Sequence, residues 1–301
     1  MRSGLVAPKR PPSRASHADA DAKSDAESTR RRIESPAMRH VSSRQNPIVA
    51  RFRDLARGRG PADRVLLEGE HLVEEAVSAG IAIETVAFSE ALLASAGPGT
   101  IDRIVRHSAE ALRVPQTVMA ALSPVKEPSG IIAIAHAGPS PLPEVLRETP
   151  QLLVLLAGIQ DAGNVGAIVR AADGCAATGI IASDGTADPF GWKALRGAMG
   201  STFRVPIAVR QPLEPTVHEL RRQRVSVVAT VPRGGTPLPD AKLTGPIALL
   251  LGGEGAGLAD SIVSTADQRV TIPMRHPVES FNVAITAALI LYEAGKQRAP
   301  R

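Results

Sequence analysis

QLLVLLAGIQDAGNVGAIVRAADGCAATGIIAS, residues 151–183, decides the fold class. A near-continuous apolar run is followed by a small-residue helical stretch and a second apolar run. Strands that are apolar on both faces belong in a parallel sheet covered by helices on either side. The same alternation continues: VSVVATVP, PIALLLGG and RVTIP read as further buried strands. WKALRGAMG, EPTVHELRRQR and SFNVAITAALILYEAGKQR read as the helices between and after them. The expectation is an α/β domain over 151–301, with ligands bound at the carboxyl ends of its strands.

Upstream, residues 41–137 alternate in the same way on a smaller scale. NPIVARFRDLARGR, GEHLVEEAVSAG, TIDRIVRHSAEAL and QTVMAAL read as helices; RVLLEG, IETVAFS, LRVP and GIIAIAHA read as strands. Residues 138–150, GPSPLPEVLRETP, carry four prolines and read as a linker. Residues 1–40 hold few large apolar groups and read as a disordered tail. That tail is either a solvated extension, with Met38 as an alternative start, or a basic arm able to touch RNA.

The formal net charge of +5 sits mostly in that tail, so it says little about the folded body. The single cysteine, Cys175, excludes an internal disulfide and a multi-thiolate metal site. Seven histidines without paired metal-ligand spacing give no expectation of metal. No apolar run is long enough to span a membrane and no apolar leader opens the chain, so a reducing cytoplasmic location is expected.

Three strand-to-helix junctions carry polar residues that packing does not require. In the first, Asn164 stands where an N-cap is expected and Gly166 lies just inside the helix. Arg170, four residues on, shares the face of Gly166 and leans back over the notch that Gly166 is expected to leave open, toward the helix N-terminus, where an anion is favoured. It is either a phosphate clamp or an exposed arginine paired with Asp173. The second junction, GGEGAG at 252–257, fits neither a dinucleotide fingerprint nor a P-loop. Its glycines allow close approach to backbone, and Glu254 within it needs a partner or a task. In the third, RVTIPMRHPVESFNVAITAALILYEA, Ser280 is the expected N-cap of the last helix, which leaves Glu279 and Asn282 unexplained.

In this order and spacing, N-x-G-x-x-x-R, LLLGGEGAGL and IPM…ESFNVA…LYE resemble the three motifs of SpoU/TrmH-type RNA 2′-O-ribose methyltransferases of the SPOUT superfamily. SRQNPIVARFRDLA, RVLLEGEHLVEEAV and KEPSGIIAIA resemble the small RNA substrate-binding domain often fused before it. The chain departs from the family at Asp161-Ala162-Gly163, which stands where Asp-Pro is usual, and at Phe281, Ala198 and Pro128.

The resemblance implies a C-terminal SPOUT domain with a trefoil knot, a homodimer, and S-adenosylmethionine bound between the last two loops. It implies catalytic roles for Arg170, Asn164, Glu254, Ser280 and Asn282. It implies cofactor contacts from Thr230, Gly252, Gly253, Gly257, Leu258, Ile272, Met274 and Phe281. Ala284, Ala288 and Leu291 are the expected dimer face. The substrate implied is structured RNA, ribosomal RNA ahead of transfer RNA, with a self-protecting resistance methylation third. With aromatic residues at 2%, stacking on single-stranded bases is poorly supplied, so recognition is expected through shape and backbone, with Arg44, Arg51, Arg53, Arg57 and Arg59 either as phosphate contacts or as a solvated helix face. The competing readings are a non-catalytic RNA-binding or ribosome-assembly factor of the same fold and a nucleotide-binding oxidoreductase. The latter lacks its fingerprint.

Overall fold

The computed structural model describes residues 38–149, 151–255 and 257–299. The first part comprises β1 (Arg39–His40), α1 (Pro47–Ala56), β2 (Arg64–Glu68), α2 (Glu70–Ser78), β3 (Ile83–Ser89), α3 (Glu90–Ser95), α4 (Pro98–Arg106), β4 (Ser108–Val114), α5 (Gln116–Leu122) and β5 (Ile131–His136). They form a five-stranded mixed sheet in the order β1-β4-β3-β5-β2, in which β5 runs antiparallel to β2 and β3. Residues 1–37 of the expected tail lie outside the described residues; Arg39 and His40 do not belong to a tail, because they pair in parallel with Leu112 and Arg113.

The second part comprises α6 (Leu142–Val145), β6 (Leu152–Ala157), α7 (Ala162–Gly174), β7 (Gly179–Ser183), α8 (Trp192–Ala198), β8 (Ile207–Gln211), α9 (Leu213–Arg222), β9 (Ser226–Thr230), β10 (Thr236–Pro237), β11 (Ile247–Gly252), α10 (Asp260–Thr265), β12 (Gln268–Thr271) and α11 (Val283–Arg298). Its seven strands are all parallel, in the order β10-β12-β9-β11-β6-β7-β8. From β6 the chain first builds outward through β7 and β8. It then returns to build β9, β11, β12 and β10 on the other side. The strand order therefore reverses between β6 and β11, which is where a doubly wound sheet opens a crevice for ligands.

Several expectations change. The sequence of SAEALRV suggests helix running into a short strand, yet α4 stops at Arg106 and β4 takes over at Ser108. Its Ala, Glu and Leu favour helix locally, but pairing with both β1 and β3 overrides that preference. β8 and β10 were not expected; β8 is an edge strand whose polar Arg210 and Gln211 hide its pattern. Within 138–150, α6 buries Val145 and Leu146 against the parallel sheet, so this segment packs as part of the core.

α8 packs against both parts. α8 faces α7 with Ala194 and Ala198, in the core of the parallel sheet. Its Leu195 is fully buried in the core of the first sheet, and Trp192 packs beside α1 and α5.

Candidate active site

The carboxyl ends of β6 and β11 lie side by side, Ala157 opposite Gly252. Their loops touch: a Cβ on Gly253 would sit 2.5 Å from the Gly158 carbonyl oxygen, so only glycine permits this approach. The Gly253 carbonyl accepts from the Gly257 amide at 3.1 Å, closing the glycine-rich turn and presenting Glu254 at its tip. A Cβ on Gly252 would collide with Gly257 and Leu258, at 2.6 Å from each.

Glu254 accepts a hydrogen bond from the Asn164 side-chain amide. The Asn164 carbonyl oxygen in turn accepts from Asn282 Nδ2 at 3.0 Å. Asn282 Oδ1 then accepts from the backbone amides of Ala284 at 2.9 Å and Ile285 at 3.4 Å. All these bonds run in one direction, from the amide-rich N-terminus of α11 through two carboxamides to a carboxylate. The helix dipole and the Glu254 charge polarise the intervening amides in the same sense. Side chains separated by 118 and 90 residues thus join all three junctions.

The caps are not those expected. Asp161, not Asn164, caps α7, its carboxylate accepting from the Asn164 backbone amide at 2.8 Å. That frees the Asn164 side chain for the relay. Asn282, not Ser280, caps α11. Ser280 is exposed in the preceding loop, where Glu279 lies 3.7 Å from Arg233. Gly166 leaves no open notch: a Cβ there would lie 2.3 Å from the Ala194 carbonyl oxygen, so the glycine serves the contact between α7 and α8. Asp173 does not pair with Arg170; it is held by Arg204 at 2.8 Å. Arg170 itself is exposed on α7, and no hydrogen bond or ion pair holds its guanidinium among the described residues.

Thr230 ends β9 with its hydroxyl donating to the Leu250 carbonyl at 3.1 Å, a bond that ties β9 to β11. Ile272 and Met274, in the exit from β12, are half-buried, as is Leu258 after the glycine-rich turn. Phe281 is exposed beside Asn282. Among the described residues, no group of His, Cys, Asp or Glu has the arrangement to hold a metal ion, and no helix is long and apolar enough to cross a membrane.

Residues 151–292 match the model of the SpoU rRNA Methylase family, and residues 46–133 match the MRM3-like substrate binding domain. The 23S rRNA (guanosine(2553)-2′-O)-methyltransferase RlmP of Bacillus subtilis is 31% identical over 258 residues, covering 85% of this chain and 98% of the relative. The chain belongs to the SpoU rRNA methylase family. The 23S rRNA (uridine(2479)-2′-O)-methyltransferase of Streptomyces viridochromogenes is 31% identical over 87% of this chain and 94% of its own length. Among solved structures, an S-adenosylmethionine-bound rRNA methyltransferase from Sinorhizobium meliloti superposes with a TM-score of 0.74 at 29% identity, covering 86% of this chain and 98% of that one.

The reaction class implied by the sequence motifs therefore stands: this SpoU methylase is an RNA 2′-O-ribose methyltransferase that uses S-adenosylmethionine. Leu258, Ile272 and Met274 are half-buried and Phe281 is exposed, apolar side chains of the kind an adenine and a thioether can pack against.

Asp161 and Gly158 join the site only in the structure; the sequence signal for Asp161 is that Asp is a preferred N-cap, its carboxylate accepting from the amide three residues on.

Proposed function

We propose that this SpoU methylase methylates a ribose 2′-hydroxyl of 23S-type ribosomal RNA, with Arg170 as its phosphate anchor and electrostatic catalyst. The observation that carries the site assignment is the Asn282–Asn164–Glu254 relay, which gathers the polar residues of three separate motifs at the sheet's switch point. Ribosomal RNA is favoured over transfer RNA because relatives that align with this chain over nearly their whole length, RlmP and the Streptomyces enzyme, are named for 23S rRNA.

S-adenosylmethionine, when bound, supplies a methyl group already activated on a sulfonium. The protein's task is then to position the hydroxyl and stabilise the oxygen as it loses its proton. Arg170 is poorly suited to removing that proton. A guanidinium is a permanent cation in proteins, so it has no lone pair to offer as a base without first giving up its charge. General-base catalysis returns only about 10²–10⁴ in rate. Arg170 instead binds an RNA phosphate and stabilises the developing alkoxide, the proton leaving through phosphate or water. The relay fixes the loops on either side of the reacting groups, and Ser280 contributes a hydroxyl to the ribose. Gly252, Gly253, Gly257, Leu258, Ile272, Met274 and Phe281 line the cofactor site, with Thr230 bracing the neighbouring strand.

The homodimer and the trefoil knot belong to the same reading. After β12 the chain crosses back over the sheet, and α11 packs on α7 and β11, a route that suits threading. The dimer face is revised from the one expected by sequence, because Leu291 is wholly buried against the sheet. Exposed Ile285 (51%), Leu289 (40%) and Tyr292 (69%), with Phe281 before them, form one stripe along α11 suited to a second copy. The phosphate contacts also narrow. Arg51 is paired with Glu84, and Arg53 donates to the Ala121 carbonyl at 3.0 Å, which leaves Arg44, Arg57 and Arg59 for RNA in a cytoplasmic enzyme.

The test compares wild type with Arg170→Ala for methyl transfer to large-subunit ribosomal RNA and for S-adenosylmethionine binding by calorimetry. Loss of transfer with binding retained is expected. Mapping 2′-O-methylated positions in RNA from a deletion strain then identifies the nucleotide. A missing mark in transfer RNA instead would overturn the substrate assignment.

A further inference from the structure

Arg170 has a carboxylate neighbour on its own helix. Asp173 lies three residues on, the spacing at which an arginine and an aspartate on one helix reach each other. That pair is not formed; instead Arg204 Nε donates to Asp173 Oδ2 at 2.8 Å.

Arg204 is itself fixed from two other directions. Its Nη1 donates to Glu75 Oε2 of α2 at 2.6 Å, and its Nη2 donates to Ser201 Oγ at 3.3 Å. The Glu75 contact is built closely. Gly200, at φ +89°, lies so near Glu75 that a Cβ would sit 2.6 Å from the carboxylate and 2.7 Å from the Glu75 Cβ. A side chain at position 200 would therefore push Glu75 out of this arrangement. Glu75 and Asp173 both hold the Arg204 guanidinium above its ordinary pKa, the Glu75 bond first, so Arg204 keeps its charge throughout.

We propose that Arg204 is a positioning residue: it draws Asp173 away from Arg170, leaving that guanidinium unneutralised for an RNA phosphate. The proposal rests on the reading of Arg170 as phosphate anchor. Glu75 belongs to the N-terminal domain, so that domain sets Arg204 and, through it, the charge available on the catalytic helix. Without Arg204, Asp173 becomes a free carboxylate within reach of Arg170. It would then compete with the phosphate and repel the developing alkoxide.

The experiment is a double-mutant cycle on the full chain, reading kcat and KM for methyl transfer to unmodified large-subunit ribosomal RNA, with thermal unfolding of each variant. Arg204→Gln is expected to lower kcat/KM by about three- to tenfold, as a newly free charge within helical reach of Arg170 would. Asp173→Asn alone is expected to stay within about twofold of wild type, and Arg204→Gln with Asp173→Asn to return to that range. The coupling is the readout, since a merely structural Arg204 would leave the double variant as slow as Arg204→Gln. A double variant that stays slow, or an Arg204→Gln enzyme within about twofold of wild type, overturns the proposal. Full activity in Arg170→Ala, or an inactive wild type on this RNA, counts instead against the reading beneath it and removes both.

Discussion

α11 is fastened differently at its two ends. At its C-terminus, Arg298 donates to the Leu243 carbonyl at 2.8 Å, to the Gln151 carbonyl at 3.2 Å through both terminal nitrogens, and to the Gly245 carbonyl. Gln297 beside it donates to the Ala241 carbonyl and accepts from the Leu243 amide, at 3.0 and 2.9 Å. Ala241, Leu243 and Gln151 are buried, so these bonds satisfy backbone groups that little water reaches. At its N-terminus the same helix is held to α7 and the glycine-rich turn by three side chains, and Asn282 and Glu254 are exposed. The amino ends of the central strands are locked, and the carboxyl ends, where the proposed function puts cofactor and RNA, are held more lightly. On that reading, stability and function fall at opposite ends of one helix.

Substitutions at the two ends should separate those properties. The largest effect is expected at the lightly held end: Arg170→Ala should reduce methyl transfer by about 10²–10³ or more, measured under single-turnover conditions, with unfolding free energy unchanged within about 0.5 kcal/mol. Arg298→Ala should do the reverse. Leaving the buried Leu243 carbonyl unpaired, while the Gln151 carbonyl keeps the Ile247 amide, is expected to cost about 1–3 kcal/mol in urea unfolding, and the surviving folded enzyme keeps its kcat. Asn164→Ala, which cuts the relay in its middle, should lower kcat roughly tenfold by loosening both loops, at a stability cost of about 1 kcal/mol. If Asn164→Ala unfolded the protein as readily as Arg298→Ala, the division between the two ends would fail. Tyr292→Asp, on the exposed stripe, should shift the species seen by light scattering from dimer to monomer.

The smallest effect lies in the N-terminal sheet and depends on pH. Burial pushes the Glu84 carboxyl up, but hydrogen bonds from Arg64 and Arg51 outweigh it and hold the pKa below its ordinary value. A lowered carboxylate contributes stability that is present above its unfolded pKa and lost as pH falls through the folded one. Wild type should therefore lose stability faster than Glu84→Gln as pH drops below about 4.5, with no change in the pH dependence of methyl transfer.

The locked and lightly held ends were not equally legible in the sequence. β6 and β11, apolar at nearly every position because helices cover both faces, declared the parallel sheet directly. β4 and β8 did not, because their strand state depends on neighbours rather than on their own residues. Asn164, Glu254 and Asn282 stood out as polar residues that packing did not require. Their mutual bonds were invisible, because each partner is far away in sequence. Capping was misjudged at both helices for one reason. Asp161 and Asn164, like Ser280 and Asn282, can all cap, and only where the first turn closes decides between them. Gly166 looked like room for a ligand because its packing partner, α8, could not be placed beside it from sequence alone.

The most direct test of the central claim is a crystal structure of the enzyme with S-adenosylmethionine and a ribose-phosphate RNA fragment. The account expects the Arg170 guanidinium on a phosphate beside the target 2′-oxygen, with that oxygen facing the methyl group and the relay intact behind it. An RNA backbone bound elsewhere, with Arg170 in solvent and the glycine-rich turn away from the cofactor, would contradict it.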